Sequence, residues 1–357
     1  MQFKERVEEG LKGKYQGLDN GLDRINRYIF GVQRSCYTLL GGLSGAAKTK
    51  YVDFTILNAL QDAESKNIPI NIFYYSFEID EFTKRAEWLS ILIYKKYNYI
   101  LAPEKIKGLG DFRLDAQEQR LVEEFLPELD KLFAKITWVF ESTNPTGLMK
   151  EWWRFMEKRG TFTKEPYVDE HGVKKERICK FTNNNLEEYN IVVIDHIALC
   201  KLERDFSLKE NLDKLSEYAV IIKNLFGVTF FFLQQFNQGL SSVERQKFKG
   251  IDISPQQSDF KDSTNPYTDA DVVLGLMNPY KMDMETCLGY NIDKAWEVYN
   301  LKDRFRLLKV VKNRLSRDNI NIGLLFIAES GAFEELKQPK DINSVDIERF
   351  EKLVKRL

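Results

Sequence analysis

Eight short apolar runs leave this chain little choice of architecture. They are YTLL (37–40), INIFYYS (70–76), ITWVF (136–140), IVVI (191–194), VTFFFL (228–233), VVLGL (272–276), LLKVV (307–311) and IGLLFIA (322–328). The earlier ones are nearly continuous in apolar residues, the pattern of strands covered on both faces. Helical patterns lie between them. TKYVDFTILNALQDAESK follows the first run, and 207–226 carries Leu208, Leu212, Leu215, Ala219 and Ile222 on one face. Ser207 and Glu210 have the spacing of a capping box at its start. Strands alternating with helices imply an α/β fold with a mainly parallel central sheet. The rhythm reads as one domain, residues 15–357.

Two segments stand outside that rhythm. Residues 1–14 set Phe3, Val7 and Leu11 four apart among charges, a short amphipathic helix. A helix so short is marginal alone, so its stripe should pack either on its own domain or on a neighbouring subunit. Residues 160–188 place two strand-like stretches around the turn-prone DEHG, an inserted β-hairpin. It reads as a tolerated surface insertion, with a partner-contact device as the alternative.

Composition narrows the function. With 43% hydrophobic and 13% aromatic residues, the 357-residue chain can bury a sizeable core. Its 53 basic and 54 acidic residues give a formal net charge of −1, so nucleic-acid binding must come from local clustering. Four scattered cysteines without a CxxC pair, and only two histidines, argue against structural zinc and a disulfide framework. The charged start MQFKERVEEG has no apolar h-region, and no run reaches the roughly 18 apolar residues of a membrane span. A soluble protein of a reducing compartment is expected, with no membrane partner.

Chemistry concentrates at GGLSGAAKTK, 41–50. Gly42, Lys48 and Thr49 fit the Walker A spacing, but Ala47 stands where the second glycine belongs. The segment follows a strand and opens a helix, so main-chain N–H groups across Gly42, Ser44, Gly45, Ala46 and Ala47 can cradle phosphates. Lys48 would reach the β- and γ-phosphates of ATP, and the Thr49 hydroxyl would ligate Mg²⁺. The Ala47 methyl costs little if its backbone suits an L-residue, and about 1–2 kcal/mol if φ is positive.

Further candidates sit at strand ends. IVVIDHIALC ends an apolar strand in Asp195, a carboxylate placed to hold the Mg²⁺ shell. His196 beside it reads as a packing or hydrogen-bonding residue. FYYSFEID presents Glu78 as a base or orienting group for the attacking water. FFFLQQFNQ presents Gln234 and Gln235, either of which could carry an amide that senses the γ-phosphate.

The order of these elements resembles the RecA-type motor domain of DnaB-like replicative helicases, from about residue 15 to 336. GLDNGLDRINRYIFGVQRSCYTLLGGLSGAAKT is similar to that family's lead-in and P-loop. YYSFEID resembles its SLEM element, LQQFNQ its LSQLNR, SDFKDSTNPYTDADVVLGL its SDLRESG…DAD stretch, and VVKNRLSRDN…FEEL its KQRNG…F ending. The resemblance implies that Glu78 is the catalytic glutamate and Gln235 the sensor. It further implies that Lys312 and Arg314 reach the ATP of an adjacent subunit. Assembly as a homohexameric ring follows from the same resemblance, with 5′-to-3′ polarity and contact with a primase or helicase loader. Single-stranded DNA would pass two central loops. One carries Lys201, Arg204 and Lys209; the other, 239–257, carries Arg245, Lys247 and Lys249.

Departures from the family pattern are Ala47, Gln238 in place of an arginine, the 160–188 hairpin, and no N-terminal helical domain before the linker-like helix 1–14. The fold expected is therefore a RecA-like P-loop core with a linker helix and an inserted hairpin. Cytoplasmic location, in a bacterium or a virus of one, is the matching expectation. Alternatives are a RecA-fold ATPase of another role, such as a recombinase or regulatory ATPase, and a nucleotide-binding scaffold whose hydrolysis has decayed.

Overall fold

Each apolar run is a strand in the computed structural model, which describes residues 3–11, 13, 15–237, 253–260 and 264–355. In chain order the strands are β1 (Tyr37–Gly42), β2 (Ile70–Ser76), β3 (Ile136–Val139), β4 (Gly160–Val168), β5 (Lys174–Asn183), β6 (Tyr189–Asp195) and β7 (Thr229–Gln235). There follow β8 (Val272–Met277), the two-residue strands β9 (Thr286–Cys287) and β10 (Tyr290–Asn291), then β11 (Phe305–Asn313), β12 (Ile320–Ile327) and β13 (Ala332–Glu335). The helices are α1 (Phe3–Leu11), α2 (Asp23–Ile29), α3 (Lys48–Ser65), α4 (Glu81–Tyr97), α5 (Pro103–Ile106), α6 (Ala116–Phe133), α7 (Pro145–Glu157) and α8 (Leu208–Phe226). Short α9 (Asn265–Asp269) and C-terminal α10 (Ser344–Val354) complete the set.

Nine strands form one sheet in the order β13-β12-β11-β8-β1-β7-β6-β2-β3. The six from β8 to β3 are parallel, and β11, β12 and β13 extend the sheet antiparallel. That extension departs from a purely parallel reading for a simple reason. Its strands are joined to each other by turns too short for a crossover, and short turns can only reverse a strand.

Helices cover both faces of the parallel part. On one face Trp152 of α7 meets Phe230, and Phe155 meets Phe73. On the other, Trp88 of α4 packs edge-on to Trp138, which stacks on Tyr74. Lys84 of α4 and Asp53 of α3 form a fully buried pair 2.7 Å apart, joined by the Tyr74 hydroxyl donating to Asp53. Helix α8 begins with the expected capping box: Ser207 accepts from the Glu210 N–H, while Glu210 accepts from Ser207. Leu212, Leu215, Ala219 and Ile222 are buried, but Leu208, in the first turn, is exposed.

The hairpin is β4 paired with β5. Phe162 and Phe181 at its root pack on Phe226, and Phe162 stacks on Trp153. Beyond a register shift at Thr163/Lys164 the ribbon touches little but itself, with Val168 and Val173 exposed. Helix α1 leaves its stripe bare: Phe3 and Leu11 are more than four-fifths exposed.

The parallel strands give the sheet two distinct edges. Gly42, Ser76, Asp195 and Gln235 end strands at one edge. Tyr37 and Val272 begin strands at the other, where antiparallel β11 finishes opposite Val272 at Asn313. The five steps from Tyr37 to Gly42 at about 3.3 Å each separate the edges by roughly 16 Å.

Candidate functional site

The phosphate-loop sequence lies between β1 and α3, as its motif requires. Gly42 has to be glycine, because a Cβ there would sit 2.6 Å from the Leu276 carbonyl and 3.1 Å from Lys48 Cγ. Gly45 has φ +75°, and its missing Cβ direction is taken by the Lys281 ammonium. Ser44 is exposed, while Ala46 is buried. Ala47 has φ +73°, so it occupies the left-handed region that glycine would take without cost. The loop adopts the conformation despite the methyl group, at the roughly 1–2 kcal/mol such a backbone costs an L-residue.

Arg306 helps hold it there. This guanidinium, 2% exposed in β11, donates from Nε to the Ala46 carbonyl at 3.1 Å and from Nη1 to the carbonyls of Asp303 and Phe305. Burial pulls its pKa down to about 10, against the pull of Asp303.

Lys48 opens α3, its ammonium donating to the carbonyls of Gly42 (2.8 Å) and Leu43 (3.1 Å). Burial lowers its pKa to about 8, opposed by Asp195 and Glu78. Thr49 donates its hydroxyl to Asp195 at 2.6 Å. Asp195 is buried, which raises its carboxyl above the usual range despite Lys84 and the Thr49 bond. A hydroxyl and a carboxylate in direct contact form a hard-oxygen donor set, which suits Mg²⁺.

Strand pairing brings in the remaining groups. β2 and β6 pair Ser76 with Asp195, and the Phe77 N–H continues to the Asp195 carbonyl at 3.3 Å. Glu78 is therefore delivered to the same edge, its side chain half exposed and 3.6 Å from His196 Nε2. β1 and β7 pair Gly42 with Gln235. Paired residues of parallel strands point to one face, so Gln235 shares the face on which Lys48 lies. Gln234 pairs with Gly41 instead and points to the opposite face. It is 1% exposed, and neither amide atom has a partner among the described residues. Gln235 is the sensor candidate that the register supports.

Lys312 and Arg314 lie at the far edge. Lys312 donates to the carbonyls of Tyr267 (2.9 Å) and Thr268 (2.7 Å); its burial and the neighbouring Arg314 lower its pKa. Arg314 donates to the carbonyls of Thr268 and Asp269, and contacts Asp271 at 3.4 Å. Asp271 also accepts from the Tyr37 N–H and from Lys223. The DAD stretch thus ties the finger-like segment to the beginning of β1, with the phosphate loop at that strand's other end.

Of the DNA-loop candidates, Lys201, Arg204 and Lys209 are on the segment leaving Asp195, where Lys201 and Lys209 are exposed. The Lys201 N–H is held by Thr143 O and Ser142 Oγ, while the Arg204 side chain is 95% exposed beside Asp205. Arg245, Lys247, Lys249 and Gln238 lie outside the described residues.

Three residues escape a reading of the sequence alone. Arg306 signals itself only as a cation inside an apolar strand. Lys281 carries no motif; it makes no ion pair among the described residues and lies against Gly45. His196 shows its contact with Glu78 only once β2 and β6 are paired.

No family model matches the sequence, and no curated protein is similar to it in sequence. Solved structures do match in fold. A DnaB-like helicase ATPase domain, solved by itself, aligns over 93% of this chain and 96% of its own, with TM-score 0.65 and 15% identity. A DnaB-like replicative helicase, solved in a study of its interactions with primase, aligns over 93% of this chain and 65% of its own, with TM-score 0.62 and 15% identity. The RadB recombinase aligns less well, with TM-score 0.46. The chain has the RecA-like fold of DnaB-like helicase ATPase domains, and it spans about two thirds of the length of the full helicase. No helix among the described residues is long and apolar enough to cross a membrane.

Proposed function

We propose that this chain is the motor of an ATP-driven, ring-forming DNA helicase. The reading rests above all on the division of its charged groups between two sheet edges. Lys48, Thr49, Asp195, Glu78 and Gln235 converge at one edge, while Lys312 and Arg314 sit at the other, roughly 16 Å away along β1. A guanidinium so placed serves a phosphate loop only if that loop belongs to another copy.

The division of labour follows. Main-chain amides of 42–49 and the Lys48 ammonium bind the triphosphate. Thr49 and Asp195 hold Mg²⁺, which when bound supplies positive charge to the phosphate oxygens. Glu78 orients the attacking water and accepts its proton, and the Gln235 amide reports whether the γ-phosphate is present. Arg314 and Lys312 of the next copy offset the charge that develops during transfer. The bare stripe of α1 is the surface a neighbouring copy would cover, and a homohexameric ring is the assembly the family likeness suggests. Lys201, Arg204 and Lys209, with Arg245, Lys247 and Lys249, would grip single-stranded DNA by its phosphates. Polarity of 5′ to 3′, replication as the setting, and a primase or loader as partner belong to the same reading.

ATP turnover and strand displacement test it together. Turnover is expected to rise with single-stranded DNA, and a tailed duplex to be separated, with both activities absent in Lys48→Ala. Turnover no higher than that of Lys48→Ala, with or without DNA, sinks the motor reading. Turnover that ignores DNA and separates no duplex points instead to a RecA-fold ATPase of another role.

A further inference from the structure

We infer that His196 is a positioning residue that aims the Glu78 carboxylate at the reacting centre. The inference rests on the proposal that Glu78 acts on the attacking water. Glu78 follows the end of β2 and has little else to fix it. Its side chain is 52% exposed, and its contact with His196 Nε2, at 3.6 Å, is its sole hydrogen-bond or ion-pair contact among the described residues. A glutamate with free rotamers spends only part of its time aimed at any one point.

His196 is held far more firmly. Its side chain is 11% exposed, wedged between the end of β6 and the short 3₁₀ turn Ile197–Leu199. Nε2 is the nitrogen facing Glu78, and Nδ1 is buried without a partner among the described residues. The approach is dictated by the sheet. Ser76 pairs with Asp195, and the Phe77 N–H donates to the Asp195 carbonyl. Residue 78 must therefore run beside residue 196, whatever the outer loops do. At 3.6 Å the pair lies just outside hydrogen-bond range, and a small side-chain rotation brings Nε2–H onto the carboxylate. Catalytic hydrogen bonds are commonly long before the substrate complex forms and tighten within it.

A positioning role has its own kinetic signature. His196→Ala is expected to lower kcat about tenfold while KM for ATP and the affinity for ADP stay within about twofold. Glutamine can present an amide N–H close to where Nε2 lies, so His196→Gln is expected to recover most of kcat. Asparagine is too short, so His196→Asn is expected to behave like alanine. In a Glu78→Gln background the His196→Ala change is expected to add nothing.

Wild-type kcat in both His196→Ala and His196→Asn overturns the inference. So does a loss shared equally by Gln and Asn, or one matched by an equal loss of ADP affinity, since either would mean packing and not aim. If the alanine variant does not fold, the Gln and Asn pair decides. Full turnover in Glu78→Gln would instead remove the premise that Glu78 acts on water, a different failure from inert His196 variants beside a dead Glu78→Gln.

Discussion

The two edges of the central sheet carry comparable charge and use it in opposite ways. At the phosphate-loop edge, Glu78 and Gln235 stand exposed and Lys281 has no counter-ion among the described residues. At the far edge, Lys312 and Arg314 are engaged with the carbonyls of 267–269, and Asp271 is shared among Arg314, Lys223 and the Tyr37 N–H. One edge gathers groups whose partners lie outside the chain; the other mounts two cations on a rigid base. A parallel sheet explains the arrangement, because it places all strand ends of one kind together. A group that belongs chemically to the site but is carried on an antiparallel strand end arrives at the wrong edge, and only a second copy can return it.

The largest effects should come from breaking each edge separately. Arg314→Ala is expected to cut ATP turnover about 10³-fold or more while nucleotide binding survives. Glu78→Gln is expected to cost about 10²–10⁴-fold, again with binding kept. Steady-state kinetics beside ADP affinity checks both. If Arg314→Ala turns over at the wild-type rate in an assembled preparation, the far edge is structural and the comparison collapses.

Mixing sharpens it. Lys48→Ala and Arg314→Ala are each expected to be inactive, yet a mixture places intact loops against intact fingers at some interfaces. Activity should return to a fraction of wild type, on the order of a quarter if equal amounts mix at random and interfaces act independently. Mixtures that exchange subunits and stay dead refute a site shared between copies.

The sequence announced the near edge better than the far one. The eight apolar runs, the loop spacing and the strand-end carboxylate are local patterns, and local patterns survive in a single sequence. Gln234 and Gln235 could not be told apart, because their faces depend on the register of β7 against β1. Arg306 reaches the Ala46 carbonyl across 260 residues of chain, a distance no periodicity records. The antiparallel β11–β13 extension was hidden for the same kind of reason, since apolar content marks a strand without giving its direction. Ala47 is the reverse case: the sequence posed the question of its backbone, and φ +73° answers it.

That answer makes a smaller prediction. Ala47→Gly relieves the left-handed strain but adds freedom to the unfolded chain, and the two leave a net gain of about 0.5–1 kcal/mol. Thermal melting should rise modestly, and ATP affinity should hold or improve. A lower melting temperature would mean that the methyl group contributes packing that outweighs the strain.

The smallest effect is expected where the far edge is most conspicuous. The hairpin springs from the side where β6 begins, and its outer ribbon, past the shift at Thr163/Lys164, contacts mainly itself. Replacing 165–177 by an Asn-Gly turn keeps Phe162 and Phe181 on Phe226, so stability should change by no more than about 0.5 kcal/mol. Phe181→Ala, which removes the root, should cost about 3 kcal/mol. Turnover of the trimmed protein distinguishes two kinds of far edge. Unchanged turnover leaves Lys312 and Arg314 as that edge's whole contribution to the neighbouring site. If trimming preserves the melting temperature yet lowers turnover as Arg314→Ala does, the ribbon is itself part of the contact between copies, and the far edge is a docking surface with the two cations at its centre.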